Sequence, residues 1–179
     1  LIQAAAGGVG LIACQWARAL GATVIGTVGS PAKAELAKAH GCHHVINYST
    51  ENFAQRVREI TNREGVAVVY DGVGKVTFDP SLDCLKPRGL MVSFGNASGP
   101  VPPIALTALK GTLYLTRPSL MPHTANRANL EEMTADLFKV VTSGKVRIRI
   151  DQRYPMADAA QAHRDLEARK TTGQTLLIP

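Results

Sequence analysis

The sequence predicts an α/β fold, a doubly wound parallel sheet followed by a distinct C-terminal segment, and three observations carry that prediction. Short β-rich runs alternate with helical runs through the first two thirds of the chain. The links between them are short, so each strand–helix–strand unit is a right-handed crossover and the sheet is parallel and covered on both faces. A string of small residues, Ala4 to Gly10, lies between the first strand and the first helix, where sheets of this kind bind their ligands.

In order, Leu1–Ala5 reads as a strand and Leu11–Leu20 as a helix stopped by Gly21. Thr23–Val28 is a β-branched strand. Pro31–His40 is a helix with Ser30 as N-cap, Pro31 in its first turn and Gly41 past its end. His43–Asn47 is the third strand, and Phe53–Thr61 a helix with Phe53, Val57 and Ile60 on one face. Val66–Asp71 is the fourth strand, Val76–Leu85 a helix and Leu90–Phe94 the fifth strand. The pattern then breaks at the proline-rich loop 99–103, which leads to a short helix ending at Lys110 and a strand near Thr112–Thr116. After Arg117-Pro118-Ser119 comes a second proline-bearing loop, then an amphipathic helix over Asn129–Ser143. Lys145–Ile150 alternates basic and apolar residues and reads as a half-exposed strand. Met156–Ala168 is the last helix and Thr175–Ile178 the last strand.

Composition narrows the function. The chain of 179 residues is 45% hydrophobic and 19% charged, which excludes disorder and allows one core, or a core with an appendage. The net charge of +6 suits an anionic ligand and keeps nucleic acid in view. Cys14, Cys42 and Cys84 are far apart and odd in number, so neither a disulfide framework nor a cysteine-based zinc site is indicated, and a reducing, cytoplasmic compartment is the simpler reading. The most apolar stretch, Leu1 to Cys14, is too short and glycine-rich to span a bilayer and has no basic leader before it. The chain opens at Leu1, directly on a buried strand, so a fragment of a longer protein is expected.

Ala4–Gly10 is the strongest local signal. A phosphate needs exposed backbone N–H groups, a helix N-terminus aimed at it and no side chains in the way. If Ala5 takes the first slot of Gly-x-Gly-x-x-Gly, Gly7 and Gly10 take the others. A glycine turn that only connects two elements has the same letters; the continuing strand–helix alternation favours dinucleotide binding in a Rossmann sheet. An NAD-preferring site places an acid about 20 residues further on. No acid occurs between Leu1 and Ala34, and Gly29-Ser30-Pro31-Ala32-Lys33 stands there instead. A small turn at a helix N-terminus with a lysine would attract a 2′-phosphate, which favours NADPH.

Longer strings are then familiar. Ala4–Ala17, Ile25–Gly29, Val45–Tyr48, Val69–Asp71, Ser81–Leu85, Arg88–Asn96, Thr116–Leu120 and Leu176–Pro179 together resemble the NADPH:quinone oxidoreductases. These are the zeta-crystallin-like, zinc-free branch of the medium-chain dehydrogenase/reductase superfamily, and the resemblance runs from Leu1 to Pro179. It implies that Gly8 and Val9 give backbone contacts to the pyrophosphate, and that Gly29, Ser30, Pro31, Ala32 and Lys33 hold the 2′-phosphate with Tyr48 and Arg169 beside it. Val73 would flank the adenosine, Phe94, Gly95, Asn96 and Ala97 would line the nicotinamide end, and Arg117, Pro118 and Ser119 would border the cofactor. It implies a dinucleotide-binding domain over 1–114, with 115–179 returning to a GroES-like catalytic domain that is otherwise absent here. Hydride transfer from NADPH to a quinone, and a homodimer through the strand near Thr112–Thr116, are further implications.

Two rivals remain: a zinc-free reductase of enals or enoyl thioesters, and a nucleotide- or RNA-binding module without catalysis. For RNA the only support is the basic group Lys145, Arg147, Arg149 and Arg153, which lacks aromatics for base stacking and reads better as a solvated strand face. His43 and His44 point to opposite faces of their strand and read as local polar residues rather than metal ligands. Asp71 reads as a strand-end cap before a catalyst, so no catalytic side chain is assigned.

Overall fold

The computed structural model describes residues 1–179. Its main sheet is built around the N-terminal segment. Helix α1 spans Gly8–Ala19, strand β1 Ile25–Val28, helix α2 Pro31–Ala39 and strand β2 His44–Asn47. Helix α3 (Phe53–Ile60), strand β3 (Val66–Asp71), helix α4 (Phe78–Asp83) and strand β4 (Leu85–Ser93) follow, and strand β5 (Tyr114–Thr116) ends the series. β1 pairs with β2, β3 with β4 and β4 with β5, all parallel. Ile2 bridges Gly26 of β1 on one side and Tyr70 of β3 on the other. The order across the sheet is therefore β2, β1, the Ile2 segment, β3, β4, β5, with the strand direction constant throughout.

Adjacent residues of the central segment feed opposite faces, as the strand period requires. Leu1 packs with Ile25, Ile46, Val57, Val69, Phe78 and Met91, the side covered by α3 and α4. Ile2 packs with Ala5, Cys14, Val28, Ala37 and Cys42, the side covered by α1 and α2. Ser30 caps α2 as expected, its Oγ accepting the Lys33 amide at 3.3 Å, and Asn52 caps α3, its Oδ1 accepting the Gln55 amide at 3.1 Å.

The last third is different. Helices α5 (Leu120–His123) and α6 (Arg127–Thr142), strand β6 (Ile150–Pro155), helix α7 (Ala159–Glu167) and strand β7 (Gln174–Ile178) complete the chain. β6 and β7 form a separate two-stranded parallel sheet, tied to the glycine-loop region by a bridge between Gly7 and Gly173. Beyond Ser93 only Val146 and Ala162 are buried, and α6 has no buried residue, leaving Leu130, Met133 and Phe138 exposed. No helix is long and apolar enough to cross a membrane.

Five sequence expectations need correction. The strand at Leu1–Ala5 is irregular: Ile2 bridges both neighbours and the Gln3 and Ala5 amides bond the Tyr70 and Thr27 carbonyls, but Ala4, with a left-handed φ of 55°, interrupts the run. α1 begins at Gly8 rather than Leu11, so Gly8 and Gly10 belong to its first turn. α4 is shorter than Val76–Leu85, and β4 starts at Leu85 rather than Leu90. Lys145–Ile150 is not a strand; only Ile150 enters β6. Its backbone is held instead by the side-chain amide of Gln15: Oε1 accepts the Arg147 N–H at 2.9 Å and Nε2 donates to the Arg147 carbonyl at 3.1 Å. A side chain that satisfies both backbone groups removes the need for a ladder partner there. Helix α5, which falls in the region expected as a loop, was not foreseen.

Candidate cofactor site

All main-sheet strands end at one edge, the carboxyl edge where open α/β sheets bind ligands. The predicted residues from Gly8 to Ser119 follow those strand ends. Gly8 and Val9 come after the Ile2 segment, Gly29–Lys33 after β1 and Tyr48 after β2. Val73 follows β3, Phe94–Ala97 follow β4 and Arg117–Ser119 follow β5.

The glycine loop sits at the middle of that edge. Gly7 caps α1 without a side-chain bond, and no acid lies in the first turn. The N–H groups of Gly8, Val9 and Gly10 have no acceptor within the protein. Three free donors and the positive end of a twelve-residue helix make a ready anion site. Gly10 is required for packing: a Cβ there would stand 2.4 Å from the Ala4 carbonyl oxygen and 2.8 Å from Ala5. At Gly8 a Cβ would instead meet the side-chain amide of Gln174 at 2.7 Å. Gln174, the first residue of β7, thus lies beside the free amides. Sequence reasoning missed it, and the available signal was Gly173, whose φ of 55° turns the chain just ahead of that strand.

Seven predicted residues converge at the end of β1. The phenol of Tyr48 covers Gly29, 2.5 Å from where a Cβ would stand, and Ser49 Oγ donates to the Gly29 carbonyl at 2.9 Å. Tyr48 is 42% exposed, so it is not a core residue. Ser30 caps α2, Pro31 and Ala32 form its exposed first turn, and no acid is present there. Lys33 Nζ donates to the Arg169 carbonyl at 2.6 Å. Partial burial, then the Arg169 charge, hold the Lys33 ammonium below the ordinary lysine range. Two cations and a helix N-terminus with no acid in its first turn suit an anion of high charge.

The other end of the edge is organised by Asp71, which is fully buried. Its Oδ1 accepts the amides of Val73 (2.8 Å) and Gly74 (3.0 Å) and the Thr77 hydroxyl (3.0 Å), while Oδ2 accepts the Ser81 hydroxyl at 3.1 Å. Ser81 Oγ in turn accepts from Gln3 Nε2 at 3.0 Å, and Gln3 Oε1 accepts the Thr27 hydroxyl at 2.5 Å. A buried chain of hydrogen bonds therefore crosses the sheet from β1 to β3, and Asp71 works as a cap. The Phe94 ring lies on Gly72, 2.9 Å from a Cβ built there. Gly95 packs equally tightly: its missing Cβ would sit 2.5 Å from the Gly72 carbonyl oxygen, so its clearance serves the neighbouring loop. The Ala97 amide donates to that same carbonyl at 3.2 Å. Asn96 and Ala97 are exposed, and Arg117 bonds only the adjacent Pro118 carbonyl, at 3.2 Å.

No group of three or more His, Cys, Asp or Glu side chains is placed to hold a metal ion. His43 Nδ1 accepts the Val24 amide at 3.0 Å, and His40 Nδ1 lies 2.8 Å from the Leu36 carbonyl, so both rings are engaged locally. In the basic group Arg149 pairs with Asp151 at 2.5 Å.

Known proteins share this architecture. The chain is 55% identical over 181 residues to a quinone oxidoreductase of Pseudomonas aeruginosa, covering 100% of this chain and 56% of that one. It is 48% identical over 182 residues to a 2-haloacrylate reductase of a Burkholderia species, covering 100% of this chain and 55% of that one. The crystal structure of the Escherichia coli quinone oxidoreductase complexed with NADPH superposes with a TM-score of 0.95 at 52% identity, over 99% of this chain and 56% of that one. The chain thus spans little more than half the length of the relatives it matches. The family model described as zinc-binding dehydrogenase matches residues 8–139, from the free amides of α1 through the strand-end loops to α6. By that match, and by a Rossmann-like sheet whose strand-end loops gather at one edge, the chain belongs to the zinc-binding dehydrogenase family.

Proposed function

We propose that this chain is the NADPH-binding part of a quinone reductase that transfers a hydride from NADPH to a quinone. The observation that carries the reading is the Lys33–Arg169 contact beside Gly29, Ser30 and Tyr48, a cationic cluster at a helix start whose first turn has no acid, where a 2′-phosphate would sit. The free amides of Gly8 and Val9 hold the pyrophosphate. Val73, fixed by Asp71, flanks the adenosine, and Phe94, Gly95, Asn96, Ala97 and the turn Arg117–Ser119 border the nicotinamide end. NADPH, when bound, supplies the hydride from its nicotinamide ring, and the chain positions that ring and screens it from water. The similarity to the quinone oxidoreductases of Pseudomonas aeruginosa and Escherichia coli supports the acceptor.

Residues 1–114 form the dinucleotide-binding domain in this reading, and 115–179 pack on a GroES-like catalytic domain, which fits the exposed apolar side chains of α6. The site works without zinc, in the cytoplasm. Strand β5, at the sheet edge with Tyr114 and Leu115 exposed, joins a second copy in a homodimer.

A second reading has one observation in its favour. The 2-haloacrylate reductase matches this chain over its full extent, so an activated carbon–carbon double bond is the competing acceptor. The test is NADPH oxidation by the full-length protein with a benzoquinone or with 2-chloroacrylate. Faster turnover of the quinone supports the first reading; turnover of the acrylate alone replaces it with the second.

A further inference from the structure

Two of the three cysteines meet in the core. Cys14, on the buried face of α1, and Cys42, in the turn between α2 and β2, have their Sγ atoms 3.3 Å apart. Both are free thiols, 0% and 4% exposed. The chain next to Cys42 also approaches Cys14. Gly41 has a left-handed φ of 105°, and a Cβ there would stand 2.8 Å from the Cys14 carbonyl oxygen and 3.1 Å from Gln15 Cα. Neighbouring sulfurs on chain segments that approach this closely are the starting point for a disulfide. Cys42 Sγ is hemmed in on the sheet side, 2.6 Å from the Cβ position of Gly26, and Ala5 of the nucleotide loop is equally close to that position. The thiol pair thus lies directly behind the loop that holds the free amides.

We propose that Cys14 and Cys42 form a site of reversible oxidation, closing to an intramolecular disulfide when the protein meets a hydroperoxide. The Cys42 thiolate attacks one peroxide oxygen, the O–O bond breaks, and the leaving hydroxide takes a proton to become water. The Cys42 sulfenic acid is then attacked by Cys14 sulfur, which gives up its proton, and the S–O bond breaks with loss of a second water. The two sulfurs lose two electrons and the two peroxide oxygens gain them. The hydrogen bond between the two thiols draws Cys42 below its ordinary value, while that bond and burial push Cys14 up. Cys84 offers an internal control. It is buried, its thiol bonds the Pro80 carbonyl at 3.2 Å, and burial pushes it up to about 12.

The test is treatment of the folded chain with excess hydrogen peroxide in native buffer, then denaturation, alkylation and mass spectrometry. The expected product has lost two hydrogens, accepts one alkyl group, at Cys84, and yields a linked Cys14–Cys42 peptide. Dithiothreitol restores three alkylation sites. Cys84→Ala still forms the link and Cys42→Ala does not, with circular dichroism confirming that both fold. Three alkylatable thiols after peroxide overturn the proposal. So does oxygen added to Cys14 or Cys42 without a link, or a link through Cys84.

Discussion

The ammonium of Lys33 donates a 2.6 Å hydrogen bond to the backbone carbonyl of Arg169, 136 residues further along the chain. This bond joins the first turn of α2, in the main sheet, to the segment between α7 and β7. Arg169 itself has a left-handed φ of 59°, which turns its carbonyl toward Lys33. The cationic pocket is therefore assembled from two distant parts of the chain.

Lys33→Met is expected to weaken NADPH binding about tenfold to hundredfold, the effect of losing one charge-assisted hydrogen bond, and to leave NADH binding nearly unchanged. Fluorescence titration with each cofactor reads both. Because Lys33 titrates below the ordinary lysine range, its charge is lost earlier as pH rises. NADPH affinity then declines on the alkaline side in the parent chain, and that part of the decline is missing in Lys33→Met.

Gly8 and Gly10 separate binding from folding. An added methyl at Gly10 strikes backbone on the preceding turn, so Gly10→Ala should cost about 1–3 kcal/mol in urea denaturation. At Gly8 it strikes only the end of the Gln174 side chain, which can swing away. Gly8→Ala should unfold at nearly the parent urea concentration and lose affinity for the cofactor.

Removing the Asp71 carboxylate leaves the amides of Val73 and Gly74 and the hydroxyl of Ser81 short of an acceptor, while the Thr77 hydroxyl keeps the Gly74 carbonyl. Asp71→Ala is expected to cost about 3 kcal/mol or more, since each buried unsatisfied donor costs about 1–3 kcal/mol. Chemical denaturation measures it; a change under about 1 kcal/mol would show that water replaces the carboxylate easily.

Gln15→Ala frees the backbone at Arg147. The expected loss of stability is small, about 0.5–1.5 kcal/mol per hydrogen bond, but the Arg147 amide should exchange with solvent deuterium faster than in the parent.

For the β5 edge, Leu115→Lys places a charge on the exposed strand. Sedimentation velocity is expected to show a dimer for the parent and a monomer for the variant. Equal sedimentation of the two would remove β5 from the interface.

Much of the sheet was legible because short β-rich runs alternate with helical runs, and because α2 and α3 carry ordinary caps. Val66–Asp71 is found as read, and Ser30 and Asn52 begin their helices as such residues do. The site was legible where it lay in local strings, as at Gly29–Lys33. What escaped depends on distant partners. The alternation at Lys145–Ile150 has the period of a strand, yet Gln15, 132 residues earlier, satisfies its backbone. Gln174 reaches the glycine loop only because β7 lies alongside Gly7. Cys14 and Cys42 look unrelated in sequence and meet because α1 and the turn after α2 share one face of the sheet.

The most direct test of the central claim is a calorimetric titration of this chain with NADPH and with NADH, repeated on Lys33→Glu. The account predicts tighter binding of NADPH, with the preference weakened or reversed by the substitution. Binding of NADH alone, or equal binding of NADPH by parent and variant, would contradict it.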